Sequence, residues 1–211
     1  MIWGVIQFPG SCDERDALQA CELFGEARMI WHEERALDGV DAVLVPGGFS
    51  YGDYLRVGAI ARFSPAMEAV AELAGGGGPV LGICNGFQVL CEAGLLPGAL
   101  LLNEDLRFHC RQVELIAEDG ATLSIPAKHG EGRFWAPDDV LDALEANGQV
   151  SYRYAPGQNP NGSARDIAGV RNEAGNVVGL MPHPEHAVDP LTGSTDGLKV
   201  FEAVAAAGAP A

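Results

Sequence analysis

The apolar run Pro79-Val80-Leu81 passes through Gly82-Ile83-Cys84-Asn85-Gly86 into a segment of helical character, Phe87 to Ala93. A strand, a sharp glycine-flanked turn and a helix make a nucleophile elbow, which lifts one side chain to the top of a sheet. Here that side chain is Cys84. The glycines let the backbone crowd the turn. The helix start directs free N–H groups and positive dipole at the sulfur, a setting that favours thiolate. The same five residues also fit a small buried cysteine in a βα turn.

The surroundings of the elbow repeat its logic. Residues 2–8 read as a buried strand ending at Pro9-Gly10-Ser11. Asp13 to Arg28 has helical periodicity, with Leu18, Cys21, Leu23 and Phe24 toward a core, and Met29 to His32 reads as a second strand. Asp41 to Val45 is a β run that stops at Pro46-Gly47-Gly48. A Gly- and Tyr-containing loop, Phe49 to Arg56, leads to a helix over 59–73, and Gly75 to Gly78 connects to the elbow strand. Alternation at such short intervals predicts a parallel sheet with helices on both faces.

From Phe108 the character changes. Residues 111–116 and 121–125 read as antiparallel strands around an Asp119-Gly120 turn. Asn176 to Met181 is another buried strand, Asp196 to Ala206 a closing helix, and Ala207 to Ala211 a frayed tail. The expectation is an α/β fold: a single three-layer domain over residues 1–211, with a mostly parallel central sheet, helices on both faces and an antiparallel strand extension.

Composition narrows the function. A formal net charge of -16 argues against nucleic acid or an anionic membrane surface as the main partner. Five cysteines, odd in number and irregular in spacing, match neither a zinc pattern nor a secreted disulfide framework. They predict reduced thiols in a cytoplasmic protein. The apolar start, Met1 to Phe8, lacks a basic region and is too short for a signal peptide. No segment has the length to span a bilayer. Lys128 and Lys199 are the only lysines, a bias with no evident mechanistic use.

A cysteine nucleophile needs a base, and the base needs an orienting group. Met181-Pro182-His183-Pro184-Glu185 offers both after a predicted strand. Pro184 pushes His183 toward extended backbone. In extended chain, residues two apart share a side, roughly 6.6 Å apart at Cα, so His183 and Glu185 can both face the site. The carboxylate would hold the imidazole tautomer, as Asp does in serine triads. Of the other histidines, His32 reads as structural and His186 as surface. His129 sits in the Gly-rich stretch His129-Gly-Glu-Gly-Arg-Phe134, which fits either a binding or docking element or an ordinary turn. For an oxyanion hole, the Asn85 N–H is one donor. Pro46-Gly47-Gly48, at the end of a neighbouring strand, fits either the second donor, through Gly48, or a plain strand-ending turn.

At this point the chain resembles a class I, triad-type glutamine amidotransferase, through Cys84, His183 and Glu185. Longer stretches sharpen the likeness: Phe8-Pro-Gly-Ser11, Pro46-Gly-Gly-Phe-Ser-Tyr-Gly-Asp-Tyr-Leu-Arg56, Gly82 to Gln88, Arg107-Phe108, His129 to Phe134, Asn159-Pro-Asn-Gly-Ser163 and Met181 to Glu185. Together they resemble the glutaminase subunits of phosphoribosylformylglycinamidine synthase, over essentially the whole chain. Three departures stand out. The loop Gly10-Ser-Cys-Asp13 is one residue shorter than usual, His186 stands where the family usually has Arg, and residues 75–78 are four glycines.

The resemblance implies a flavodoxin-like fold and a mechanism. Cys84 attacks the glutamine amide, His183 protonates the departing ammonia, and water hydrolyses the thioester with Glu185 orienting His183. Gly47, Gln88 and Phe108 would help hold glutamine, and Gly48 and Asn85 the oxyanion. No metal and no cofactor are expected in this chain. ATP and Mg²⁺ belong to a large synthetase subunit, which makes formylglycinamidine ribonucleotide for purine synthesis, with a small bridging subunit beside it. At 211 residues the chain has no room for that synthetase and no P-loop-like motif. The loops around His129 and Asn159, including Arg133 and Asn161, are candidates for docking. Two other readings remain: a stand-alone Cys-elbow hydrolase or peptidase, and a regulatory subunit without chemistry. Neither accounts for both the intact triad set and the Tyr-Gly-Asp and Asn-Pro-Asn-Gly loops.

Overall fold

The computed structural model describes residues 1–207; the tail 208–211 lies outside the described residues. Among the described residues, strands β1 (Ile2–Gln7), β2 (Glu26–Trp31), β3 (Ala42–Val45), β4 (Val80–Ile83), β5 (Ala99–Leu101), β6 (His109–Ala117), β7 (Thr122–His129), β8 (Arg133–Trp135), β9 (Val150–Tyr154), β10 (Ile167–Arg171) and β11 (Val177–Leu180) are interspersed with five α-helices. The helices are α1 (Glu14–Glu22), α2 (Pro65–Gly75), α3 (Asn85–Glu92), α4 (Asp138–Ala146) and α5 (Gly197–Ala207). Nine strands form one sheet in the order β2-β1-β3-β4-β11-β10-β9-β6-β7, and β5 pairs with β8 apart from it.

The five strands from β2 to β11 run parallel, and the four beyond continue antiparallel. Every residue of β3 and β4 is buried, as strands covered on both faces require. The order reverses between β1 and β3. β1-α1-β2 steps one way and β3-α2-β4 the other, so right-handed crossovers put α1 and α2 on opposite faces. α5 joins α1, where Phe201 stacks on Phe24 and meets Trp3 edge-on. α3 packs beneath the centre, on β3, β4 and β11.

Two helices differ from the sequence expectation. The helix expected over 13–28 stops at Glu22, and β2 already begins at Glu26. The cause is Gly25. A Cβ there would meet the Met1 carbonyl at 2.2 Å, so glycine lets the chain close onto β1. Leu23, expected in the core, is 59% exposed. The helix expected over 59–73 splits into a 3₁₀ turn, Ala61–Phe63, and α2 starting at Pro65. Proline has no N–H to give and suits a first helical position, so the helix starts there.

In the antiparallel half β6 and β7 are longer than read from the sequence, β9 and β10 are added to them, and β7 contains Pro126. As the last strand in the sheet it tolerates proline. No described helix is long and apolar enough to cross a membrane.

Candidate active site

The site forms where β3, β4 and β11 end at their carboxyl termini, the place where open α/β sheets bind ligands. β4 runs straight into Cys84, which adopts φ 51 and ψ -105. That is left-handed backbone that a side-chain-bearing residue rarely occupies, and such strain clusters at functional sites. The flanking glycines are what make the turn possible. A Cβ on Gly86 would sit 1.8 Å from the Val45 carbonyl oxygen, and one on Gly82 would sit 2.5 Å from Leu90 Cδ1. Cys84 N–H donates to Leu180 O at 2.9 Å, tying the elbow to β11. The thiol is 7% exposed and points toward the Lys128 carbonyl, 3.8 Å away.

β11 delivers His183. Its N–H donates to Pro126 O at 2.7 Å, which fixes it against β7. His183 Nδ1 is 2.6 Å from Glu185 Oε1. The two do not meet by extended-chain alternation. Pro184 to His186 form a 3₁₀ turn, and this turn swings the Glu185 carboxylate back under the ring. The other ring nitrogen, Nε2, is buried without a hydrogen-bond partner, in the cavity that His183 shares with Cys84. Burial opposes a charge on this imidazole. The Glu185 carboxylate and the Cys84 sulfur outweigh that and raise it above the ordinary histidine range.

A second carboxylate, absent from the sequence expectation, completes the cluster. Asp13 Oδ2 lies 3.6 Å from His183 Nδ1, while Oδ1 pairs with Lys128 Nζ and lies 3.3 Å from His186 Nε2. Burial opposes the Asp13 charge, but His186, His183 and Lys128 together hold it well below the usual carboxylate range. His186 is therefore part of this charge cluster rather than a free surface histidine. The one sequence signal that bears on this cluster is that Lys128 is one of only two lysines. In the structure Asp13 stands at the start of α1 yet its side chain caps none of the helix N–H groups. The ligand-type atoms of Asp13, His183, Glu185 and His186 lie within 4.8 Å of one another. A cation among them would have to break the Lys128 pair and the His183–Glu185 bond.

Asn85 opens α3, so its N–H is among those with no helical acceptor. Its side chain accepts from Ser50 N–H at 3.2 Å and donates to Gln88 Oε1 at 3.1 Å. It thus binds the 48–50 loop to the elbow. Gly48 adopts φ 149, and a Cβ there would collide with Cys12 N and Gly10 O at 2.7 Å. Gly48, Gln88 and Phe108 line the cavity, of about 250 Å³, with Cys84 and His183. Gln88 already spends its amide on Asn85 and the Glu131 carbonyl. Phe108 is 56% exposed at the rim. Gly47 does not line the cavity. A Cβ on it would meet Asp13 Oδ2 at 2.3 Å and His183 Cε1 at 2.8 Å, so its bareness makes room for those two groups. A larger groove of about 340 Å³, bordered by Leu123 of β7 and Val204 of α5, contains no cysteine or histidine.

His129 and Asn161 are buried rather than presented for docking. His129 Nδ1 meets Asn103 Oδ1 at 3.2 Å, and Asn161 Nδ2 donates to Gly132 O at 2.8 Å and Tyr154 Oη at 3.2 Å. Burial pushes His129 down to about 4, so it is a neutral strut between loops.

A parallel sheet carrying a cysteine elbow and a His–Glu pair at its carboxyl edge is the architecture of an amidotransferase. Residues 4–200 match the family model for the CobB/CobQ-like glutamine amidotransferase domain, and the chain belongs to that family. The chain is 59% identical over 214 residues to phosphoribosylformylglycinamidine synthase subunit PurQ of Rhodococcus jostii, covering 95% of each. It is 57% identical to the PurQ subunit of Synechococcus elongatus, covering 94% of this chain and 95% of the relative. Among solved structures, a chain of PurLQS from Thermotoga maritima superposes with TM-score 0.87 at 43% identity, covering 96% of each. Within the family the chain therefore groups with the PurQ subunits. A Thermoplasma acidophilum protein described as a putative GMP synthase subunit shares the fold alone, at TM-score 0.65 and 14% identity.

Proposed function

We propose that this chain, as one domain, is the glutaminase subunit of phosphoribosylformylglycinamidine synthase. It hydrolyses glutamine to glutamate and ammonia and delivers the ammonia to a synthetase subunit. The observation that carries the chemistry is the pairing of Cys84, on strained backbone, with a His183 whose Nδ1 is held by Glu185 and whose Nε2 is unpartnered. Cys84 Sγ adds to the side-chain amide carbon, and the oxyanion takes N–H groups from Gly48 and Asn85. His183 gives a proton to the nitrogen as the C–N bond breaks, leaving a glutamyl thioester and ammonia. Water then attacks the thioester, His183 takes its proton, and Cys84 leaves as glutamate forms. Glu185 orients His183 through both steps.

The ammonia enters an ATP-dependent conversion of formylglycinamide ribonucleotide to formylglycinamidine ribonucleotide on a large synthetase subunit. A small bridging subunit completes the complex, as the PurLQS likeness supports. ATP and Mg²⁺ act on the synthetase side, and this chain supplies no cofactor. Five free cysteines suit a cytoplasmic setting. The test is glutamate release from glutamine by the chain alone and with the synthetase, ATP and formylglycinamide ribonucleotide, with C84S beside it. Release that depends on Cys84 and rises with the partner is expected. Release indifferent to the partner would overturn the reading.

A further inference from the structure

The Cys84 cavity carries more acid than the thioester chemistry uses. Asp13, Lys128 and His183 line it and satisfy one another. His129 lines it as a neutral ring. Two further carboxylates, Asp53 and Glu131, line the same cavity, and neither has a cationic partner among the described residues. Asp53 Oδ1 is buried with no hydrogen bond at all. Burial, with the Glu131 charge added, pushes Asp53 up to about 6, and burial raises Glu131 as well. An uncompensated acidic pair in a half-closed cavity is costly unless a cation arrives.

The backbone is built to place Asp53 there. Tyr51, Gly52 and Asp53 take φ 55, 74 and 53 in succession. The turn is anchored to the elbow by Ser50 N–H donating to Asn85. A ligand whose side-chain amide reaches Cys84 leaves its backbone end in the rest of the cavity. For free glutamine that end carries one cation, the α-ammonium. We propose that Asp53, assisted by Glu131, receives the α-ammonium of glutamine and so selects the free amino acid over N-blocked or deaminated amides. This assignment rests on the glutaminase reading and adds a specificity-determining residue to it.

The test compares glutamine with glutaramate, which is glutamine without its α-amino group, in the assembled complex. Ammonia release reads both substrates. In D53N the ratio of kcat/KM for glutamine over glutaramate should fall by about 10- to 100-fold, mostly through KM for glutamine, the size expected for a hydrogen bond between charged groups. D53E should restore part of the ratio. A merely structural role would lower both substrates together and leave the ratio unchanged; that result in folded D53N overturns the proposal. If D53N does not fold, E131Q decides: its ratio must also fall. Wild-type complex that releases no glutamate from glutamine would instead defeat the underlying glutaminase reading.

Discussion

Asp13 Oδ2 stands 3.6 Å from His183 Nδ1, the ring nitrogen that Glu185 already holds at 2.6 Å. Two carboxylates thus flank one nitrogen of a buried imidazole. Lys128 pairs with the outer one, and His186 Nε2 lies 3.3 Å from it and 3.6 Å from Glu185 Oε1. Glu185 is the carboxylate that bonds His183 directly.

Removing that charge tests its role. In E185Q the larger of the two charges that raise His183 is lost, and burial, opposed then by the Cys84 sulfur, pushes the imidazole down from its raised value. His183 loses its proton at lower pH, so the alkaline limb of the glutaminase rate should move toward acid by at least about one unit. The rate constant kcat should fall by about 100-fold or more, the usual scale of general acid–base catalysis. A pH profile of kcat from pH 6 to 10 checks both; an unmoved alkaline limb would contradict this role for Glu185.

Asp13 should matter more for stability. D13N leaves Lys128 half-buried without its partner. A fully buried pair broken this way costs about 3–5 kcal/mol; the exposure of Lys128 reduces that to about 2 kcal/mol. For a chain of this size Tm should fall by about 4–8 °C at pH 7. The Asp13 carboxyl is depressed in the folded state. Its stabilisation is therefore present above the unfolded value of about 4 and lost as pH falls through the folded one. D13N should show a flatter acid limb than wild type by thermal unfolding.

The histidines separate into different pH windows. His183 is raised on folding, so its contribution is complete below the unfolded value of about 6.5 and is lost as pH rises through the folded one. His129 is lowered to about 4, so the unfolded state binds a proton that the folded state refuses. Its penalty grows as pH falls from about 6.5 toward 4. Over pH 7 to 5 this opposes the stability that protonating the raised Asp53 returns, and H129N should shift the change in Tm over that window toward stabilisation while lowering Tm at pH 7. Equal acid slopes in the two proteins would show that His129 does not set this limb.

Much of this site was legible in the residues, and the reason is local. Gly82 to Gly86 carries its own geometry, because the strand, the turn glycines and the helix start are contiguous. His183 and Glu185 are two apart, so their meeting needed no tertiary knowledge, though a 3₁₀ turn rather than extended chain brings it about. Asp13 and Lys128 are 115 residues apart and meet because β7, four strands from β11 in the sheet order, packs against the 183–186 segment that follows β11. No periodicity encodes that pairing. The same holds for β8, β9, β10 and α4, whose short segments become elements through partners distant in sequence. His129 and Asn161 looked like loop residues for docking because a Gly-rich, polar stretch reads as exposed, whereas their polar atoms are consumed by Asn103, Gly132 and Tyr154.

The glycines offer a last test, because they fall into two physical kinds. Gly86 leaves 1.8 Å between an added Cβ and a main-chain oxygen of β3, and that oxygen cannot move without breaking the central sheet. G86A should abolish soluble expression or, where protein is recovered, lower Tm by more than about 10 °C, the result of overpacking by several kcal/mol. Gly75 closes α2, lies outside the left-handed region, and has nothing within 4 Å of an added Cβ. G75A removes freedom from the unfolded chain without a clash. It should stabilise by about 0.4–1 kcal/mol and raise Tm by about 1–4 °C, with glutaminase activity unaltered. Differential scanning calorimetry of the two variants beside wild type reads both signs, and a destabilised G75A would mean that the end of α2 is held by contacts other than those of its backbone.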